Sequence, residues 1–228
     1  MARNRFVAAN VGPTGAGKST VTKQVIIPNS PGPVFIVDPQ HEYDLQNSII
    51  FDGGNNEHNN PVRDLFEYLR GQAKGEYKKV KHLIIRISKN RETGNAQGRD
   101  LFRRIATARI PGTLVVDEAN RWTSASKSYK ALHDCIIEGG HFGGEDRGLS
   151  LVFCARRLAY LGKDITSNAK CTILFRQSEM GDIERARKVG FDASAVRNLK
   201  GHEYLCLEKT DVPFSSDLDP KRTHKNKA

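Results

Sequence analysis

Short apolar runs separated by polar or glycine-rich stretches recur along the whole chain. Runs of this length, bounded by turn residues and rich in Val, Ile and Phe, are typical of buried β-strands. On this pattern we predict strands at residues 6–11, 33–38, 48–51, 82–88, 113–116, 149–155, 171–175 and 204–207.

Between these runs the apolar residues fall at helical spacing. We predict helices at residues 21–27, 62–73, 99–108, 127–138, 164–169, 181–189 and 192–198, with loops at 28–33, 52–60, 89–98 and 139–148. Strands that alternate with helices indicate an α/β fold, in which helices cover both faces of a mostly parallel sheet. We find no internal repeat and no strong linker, so we expect a single domain over residues 1–219 and a basic, disordered tail over 220–228.

The net charge of the chain is strongly positive, which favours a polyanionic partner. The 228 residues include 36 Lys and Arg against 26 Asp and Glu, a formal net charge of +10. An excess of this size attracts polyanions, nucleic acid above all, although a basic protein without such a partner has the same composition. The sequence has no apolar run near the roughly 20 residues of a membrane span and no signal-peptide core, so we expect no membrane span and a cytoplasmic location.

The cysteines and histidines predict no metal site of their own. The four cysteines are widely spaced, without a C-x-x-C pair, and Cys154 and Cys171 lie inside apolar runs. Buried, reduced thiols fit that placement. The seven histidines show no zinc-ligand spacing.

The segment GPTGAGKST, residues 12–20, carries the strongest chemical signal in the chain. It matches G-x-x-x-x-G-K-[ST] and follows an apolar run of strand length, the context that a phosphate-binding loop requires. Glycines let backbone N–H groups surround phosphate oxygens, and the helix N-terminus adds partial positive charge. The alternative is a glycine turn beside an ordinary surface lysine. We predict a nucleotide site formed by Gly12, Pro13, Thr14, Gly15, Ala16, Gly17, Lys18, Ser19 and Thr20.

Two acids close a later strand. Lys18 is expected to reach the β- and γ-phosphates, while the Ser19 hydroxyl and Asp117 hold Mg²⁺. Glu118 follows directly, where a carboxylate polarises a water in line with the γ-phosphate. The alternative is that both acids merely favour a helix N-terminus. An Asp-Glu pair in this position favours ATP hydrolysis, and no NKxD-type guanine-reading segment follows, so we expect ATP and Mg²⁺ as cofactors.

Three further segments resemble one protein family. VFIVDPQHEY (residues 34–43) resembles the D-P-x-x-E-Y segment of the HerA–FtsK superfamily of DNA-translocating ATPases. RGLSLVFCARR (147–157) resembles that superfamily's strand after the Walker B acids, and NAKCTILFRQSEMGDIERA (168–186) resembles its next strand and helix. A bare ATPase core of this size is most similar to the genome-packaging ATPases of tailless, icosahedral, membrane-containing viruses.

The resemblance implies a motor. Its members act as rings that move double-stranded DNA, here into a preformed capsid, which implies a homo-oligomer, a capsid or portal-vertex partner, and a place in the host cytoplasm and the virion. Another HerA–FtsK-type ATPase of DNA transfer or repair, a small-molecule P-loop kinase and a nucleotide-binding assembly scaffold stay open. Glu118 argues against the scaffold, and no lid-like arginine pattern supports the kinase.

The resemblance also implies a sensor and an arginine finger. Where the family carries a glutamine sensor this chain has Arg156, a departure that puts phosphate sensing by an amide in doubt, and Arg157 falls on the family arginine. A surface arginine pair is the alternative. In a ring, a neighbour's arginine stabilises the charge of the transition state. The candidates for sensor or finger are Arg109, Arg147, Arg156, Arg157 and Arg176.

The basic residues before the Asp-Glu pair are candidates for DNA contact. A translocating motor needs contacts to phosphates that are indifferent to base sequence. A solvated helix face would give the same pattern. The candidates are Arg86, Lys89, Arg91, Arg99, Arg103 and Arg104.

Overall fold

A computed structural model describes residues 5–53, 59–144, 147–218 and 223–225. Its strands are β1 (Val7–Val11), β2 (Val34–Val37), β3 (Ser48–Asp52), β4 (His82–Arg86), β5 (Gly112–Val116), β6 (Leu149–Ala155), β7 (Cys171–Phe175), β8 (Tyr204–Glu208) and β9 (Thr223–Lys225). Every predicted strand is present, and the observed bounds differ from the predicted ones by at most two residues.

The helices cover the connections between the strands. They are α1 (Lys18–Val21), which continues through a π-helical turn (Thr22–Ile26) into α2 (Ile27–Asn29), then α3 (Pro61–Ala73), α4 (Arg91–Ala108), α5 (Lys130–Glu138), α6 (Lys163–Asn168), α7 (Met180–Val189) and α8 (Ala193–Asn198).

One sheet contains all nine strands, in the order β3-β4-β2-β5-β6-β1-β7-β8-β9. All neighbouring pairs are parallel except β7 with β8. The prediction of a mostly parallel α/β sheet is confirmed. Because the central strands are parallel, their carboxyl ends meet at one edge, and the residues that follow each strand are brought together there.

Each face of the sheet has its own apolar layer, because successive side chains of a strand point to opposite faces. In β2, Phe35 and Val37 pack with residues of α3, α4 and α5, whereas Val34 and Ile36 pack with the α1–α2 segment and Phe214. Burial on both faces explains why the strands are continuous apolar runs. The four cysteines are buried, free thiols, as expected.

Helix α4 corrects one prediction. Residues 89–98 were expected to form a loop, but the helix begins at Arg91, and the Asn90 side chain caps it by accepting from the backbone N–H groups of Glu92 and Thr93. Gly94 and Gly98 made this stretch resemble a loop. They lie in the helix because it packs closely there, against the Ser88 carbonyl and the Trp122 ring.

The end of the chain contains a short strand. Disorder is the expectation for residues 220–228, yet Thr223–Lys225 pairs with β8 in parallel. The other residues of this segment lie outside the described part of the chain. Within the described residues, no helix combines the length and apolar character needed to cross a bilayer.

Candidate nucleotide site

The central parallel strands deliver the predicted chemistry to one edge of the sheet. Strands β1, β2, β5 and β6 end at this edge, in mutual register. The residues that follow them are Gly12, Asp38, Asp117 and Arg156. Segments far apart in sequence therefore meet where the phosphate loop begins.

The phosphate loop connects β1 to the helix that starts at Lys18. The Gly12 N–H donates to the Ala155 carbonyl at 3.0 Å, which ties the loop to the end of β6. Gly15 and Gly17 have φ values of 78° and 106°, in the left-handed region that glycine adopts without strain. A Cβ atom at Gly12 would lie 2.6 Å from the Cβ of Phe175, so only glycine fits there.

The helix behind the loop is anchored from β1. The Asn10 side-chain amide donates to the Lys18 carbonyl and to the Thr22 hydroxyl, both at 3.0 Å. Lys18 itself folds back over the loop, and its ammonium donates to the Pro13 carbonyl at 2.9 Å. That ammonium is thus already held above the loop in which phosphates would bind.

A group of carboxylates lies beside this helix. Asp117 is 5% exposed, and burial, together with the nearby charges of Glu118, Asp38 and Glu42, raises its pKa from 3.8 to about 7. The Ser19 hydroxyl donates to the Glu42 carboxylate at 3.1 Å. Buried Asp38 shapes this corner, because its two oxygens accept from the backbone N–H groups of Glu42 and Tyr43, each at 3.0 Å.

This donor set fits a magnesium ion. Mg²⁺ prefers carboxylate and hydroxyl oxygens, and Ser19 and Asp117 offer one of each at the phosphate loop. The raised pKa of Asp117 reflects negative charge crowded into a buried place, which a divalent cation would neutralise. Sequence reasoning missed Glu42 as a neighbour of this corner. The available signal was its position five residues after β2, whose end faces the same edge as the Asp-Glu pair.

Glu118 forms an ion pair with an arginine. Its backbone has a positive φ of 51°. The Arg156 guanidinium donates to its carboxylate at 2.9 Å, and the Arg156 backbone N–H donates to the Asn120 side chain at 3.1 Å. Arg157 is bonded to another acid: it donates to buried Asp182 at 2.8 Å and covers the Tyr160 ring.

The other arginine candidates lie on both edges of the sheet. Arg176 directly follows β7 and is exposed at the edge of the phosphate loop. Arg109 and Arg147 precede β5 and β6, so they lie at the opposite edge, where the Arg109 guanidinium covers the Phe142 ring. Within one subunit, the structure brings Arg156 to the Asp-Glu pair and leaves Arg109 and Arg147 remote from it.

The six candidates for DNA contact do not form one patch. Arg86 is mostly buried, bonded to the Tyr43 carbonyl and 3.9 Å from Asp38. Arg103 and Arg104 both pair with Asp100 on α4, where Arg99 lies over the Tyr129 ring. Lys89 and Arg91 instead line a cavity of about 520 Å³ beside Glu118.

Solved structures share the fold of this chain. No protein-family model matches the chain, and no curated protein sequence matches it either. The genome packaging NTPase B204 of Sulfolobus turreted icosahedral virus 2, in complex with AMPPCP, superimposes with a TM-score of 0.64 at 16% identity, covering 90% of this chain and 93% of that one. The chain therefore shares the fold of this packaging NTPase.

Two more structures extend the similarity. The same NTPase in complex with ATP-gammaS gives a TM-score of 0.60. The DNA-packaging ATPase B204 from Sulfolobus Turreted Icosahedral Virus gives 0.53 at 16% identity, covering 96% of both chains. The resemblance to P-loop ATPases that handle DNA, drawn from the sequence, is confirmed at the level of the fold.

Proposed function

We propose that this chain is an ATP-hydrolysing motor of the HerA–FtsK type that moves double-stranded DNA and packages a viral genome into a preformed capsid. The observation that carries the proposal is the meeting of the phosphate loop with Asp117 and Glu118 at one edge of the sheet. The similarity to packaging NTPases, which extends over nine-tenths of the chain, supports the biological setting. Residues 1–219 act as one ATPase domain.

The site supplies each part that ATP hydrolysis needs. Residues 12–20 bind the phosphates, Lys18 reaches the β- and γ-phosphates, and Ser19 and Asp117 hold Mg²⁺, which neutralises phosphate charge when bound. Glu118 orients a water and accepts its proton. The water oxygen attacks the γ-phosphorus, the bond from that phosphorus to the β–γ bridging oxygen breaks, and ADP and phosphate leave.

The charge of the chain supports a nucleic-acid partner. A net charge of +10 favours the DNA backbone, and contacts to phosphates let a motor act on any sequence. The exposed candidates are divided between the cavity beside Glu118 and the outer face of α4. Arg86 donates to the Tyr43 carbonyl and lies 3.9 Å from Asp38, so it stabilises the loop after β2 and we assign it no DNA contact.

A ring arrangement gives the remote arginines a role. Arg109 and Arg147 lie far from the phosphate loop of their own subunit, so either acts on hydrolysis only if a neighbour presents it to another site. Such a finger stabilises charge on the transferred phosphoryl group. We propose a homo-oligomeric ring that docks on a capsid or portal-vertex protein in the host cytoplasm and stays with the virion.

Steady-state ATP hydrolysis with and without linear duplex DNA tests the proposal. The wild-type protein is expected to hydrolyse ATP faster with DNA. Glu118→Gln should lower the rate by about 10²- to 10⁴-fold, the contribution of a general base, while AMPPCP binding persists. Turnover that ignores DNA, or transfer of phosphate to a small acceptor, would contradict the proposal.

A further inference from the structure

The cavity beside Glu118 is lined by an unusual excess of positive charge. It opens at the carboxyl ends of β2, β4, β5 and β6 and has a volume of about 520 Å³. Of the described residues that line it, five are cationic and only Glu118 is acidic. The cations are Lys89, Arg91, Arg121, Arg156 and Arg157.

Several of these cations are fixed in place. Arg121 is held by the Asn95 side chain at 2.9 Å and by the Arg91 carbonyl, and Arg157 is held by Asp182 at 2.8 Å. Burial and the neighbouring charge of Arg91 lower the pKa of Arg121. Arg91 and Arg121 therefore repel one another, whereas Arg156 and Arg157 are paired with Glu118 and Asp182. An anion in the cavity would relieve the repulsion between Arg91 and Arg121.

The phosphate loop does not account for this wall. Among the described residues that line the cavity, none belongs to residues 12–20. An arginine finger from a neighbour does not fit either, because a sixth cation would be repelled. A phosphate group of a bound polyanion matches the charge and the openness of the cavity.

Arg156 joins this cavity to the catalytic machinery. Its side chain is 50% exposed, whereas that of its partner Glu118 is 17% exposed. The backbone N–H of Arg156 donates to the Asn120 side chain, which holds the backbone in place. The Arg156 guanidinium can therefore change position without a movement of the backbone. A carboxylate that accepts from a guanidinium is less available to accept a proton from water, so this contact restrains the general base.

We propose that the cavity binds a backbone phosphate of double-stranded DNA and that this phosphate draws Arg156 off Glu118, which frees the base for hydrolysis. The inference rests on the proposed function and adds the link between DNA and turnover. Arg156 is a positioning residue in this scheme, since it acts through Glu118. It also gives a role to the arginine that stands where the related ATPases carry a glutamine.

Reciprocal coupling provides a test that does not depend on turnover. If DNA has to break the contact between Arg156 and Glu118 in order to bind, removing the Glu118 charge should tighten DNA binding. We expect Glu118→Gln to bind a fluorescent duplex about fivefold tighter or more than wild type, measured by anisotropy in AMPPCP and Mg²⁺. Glu67→Gln is the control, because it changes the net charge equally at an exposed position of α3, outside the cavity.

Turnover of Arg156 variants gives the second readout. Arg156→Ala should hydrolyse ATP faster than wild type without DNA and gain nothing from DNA, and Arg156→Lys should retain part of the response. Arg63→Ala is the matched control, since Arg63 is also an ion-paired arginine, 54% exposed on α3, and should behave as wild type.

The outcomes separate this inference from the proposed function. Equal tightening by Glu118→Gln and Glu67→Gln, or loss of all hydrolysis in Arg156→Ala, would overturn the coupling even if DNA stimulates the wild-type protein. A wild type that ignores DNA would overturn both proposals. Inorganic phosphate replaces DNA in a parallel arm, and stimulation by phosphate alone would contradict assignment of the cavity to nucleic acid.

Discussion

Asp117 is the buried acid of the candidate nucleotide site whose pKa is raised. It is almost fully buried, and Glu118, Asp38 and Glu42 surround it with further negative charge. The folded protein therefore holds a proton on Asp117 up to a pH of about 7, while the unfolded chain releases that proton near 3.8. Between these values the folded state binds more protons, so stability falls as the pH rises through this window.

The Asp117→Asn substitution tests the raised pKa of Asp117 in the nucleotide-free protein. Because Asn never ionises, the variant should be more stable than wild type at about pH 8, by on the order of 2–4 kcal/mol, with a smaller gain at about pH 5. Urea unfolding in a chelator measures the difference at both values. The exposed Asp44→Asn is the control and should show no such trend. A constant difference across the range would contradict the raised pKa.

Single residues of the site were predictable where a motif fixes their spacing. The spacing of one motif predicts Gly12, Lys18 and Ser19, and the end of an apolar strand predicts Asp117 and Glu118. The structure brings these residues to one edge of the sheet, and their roles stay predictions. Glu42 was not predictable in the same way. It lies in the D-P-x-x-E-Y segment, but its contact with Ser19 depends on the path of the chain after Asp38, where His41 has a positive φ of 59°. The motif at residues 12–20 does not specify that path.

At the scale of elements, helix α4 shows how packing overrides composition. A Cβ atom on Gly98 would lie 2.5 Å from the Trp122 ring, and one on Gly94 would lie 2.2 Å from the Ser88 carbonyl oxygen. Both glycines are therefore close-packing positions inside a helix. Glycine has low helix propensity, so the sequence pattern alone favoured a loop.

Two glycine substitutions measure this effect in opposite directions. Gly98→Ala should destabilise the protein by about 1–3 kcal/mol through overpacking against Trp122, despite the higher helix propensity of alanine. Gly181→Ala on α7 should be neutral or stabilise by up to about 1 kcal/mol, because its nearest neighbour, the Ala159 Cβ, is 3.9 Å away. Denaturant unfolding compares the two variants, and equal effects would refute the packing argument.

The strands were easier to predict than their arrangement. Buried parallel strands are continuous apolar runs, and each was visible in the sequence. Their order was not, since β1 lies between β6 and β7, more than 140 residues away in the case of β6. This order decides which loops meet. The common direction of the strands, and not their order, separates Arg156 at the nucleotide edge from Arg109 and Arg147 at the other.

At the scale of the whole molecule, the fold places the candidate nucleotide site beside a cationic cavity on a basic protein. The cavity lies next to Glu118, which is bonded to Arg156. Under the two proposals, the Arg156 side chain links DNA binding to hydrolysis. A protein built in this way should convert ATP turnover into movement along a duplex.

Displacement of a third strand from the end of a linear duplex measures that movement most directly. We predict that the wild-type protein with ATP and Mg²⁺ releases the third strand, whereas Glu118→Gln, or wild type with AMPPCP, leaves it bound. Hydrolysis that DNA stimulates while the third strand stays in place would contradict translocation.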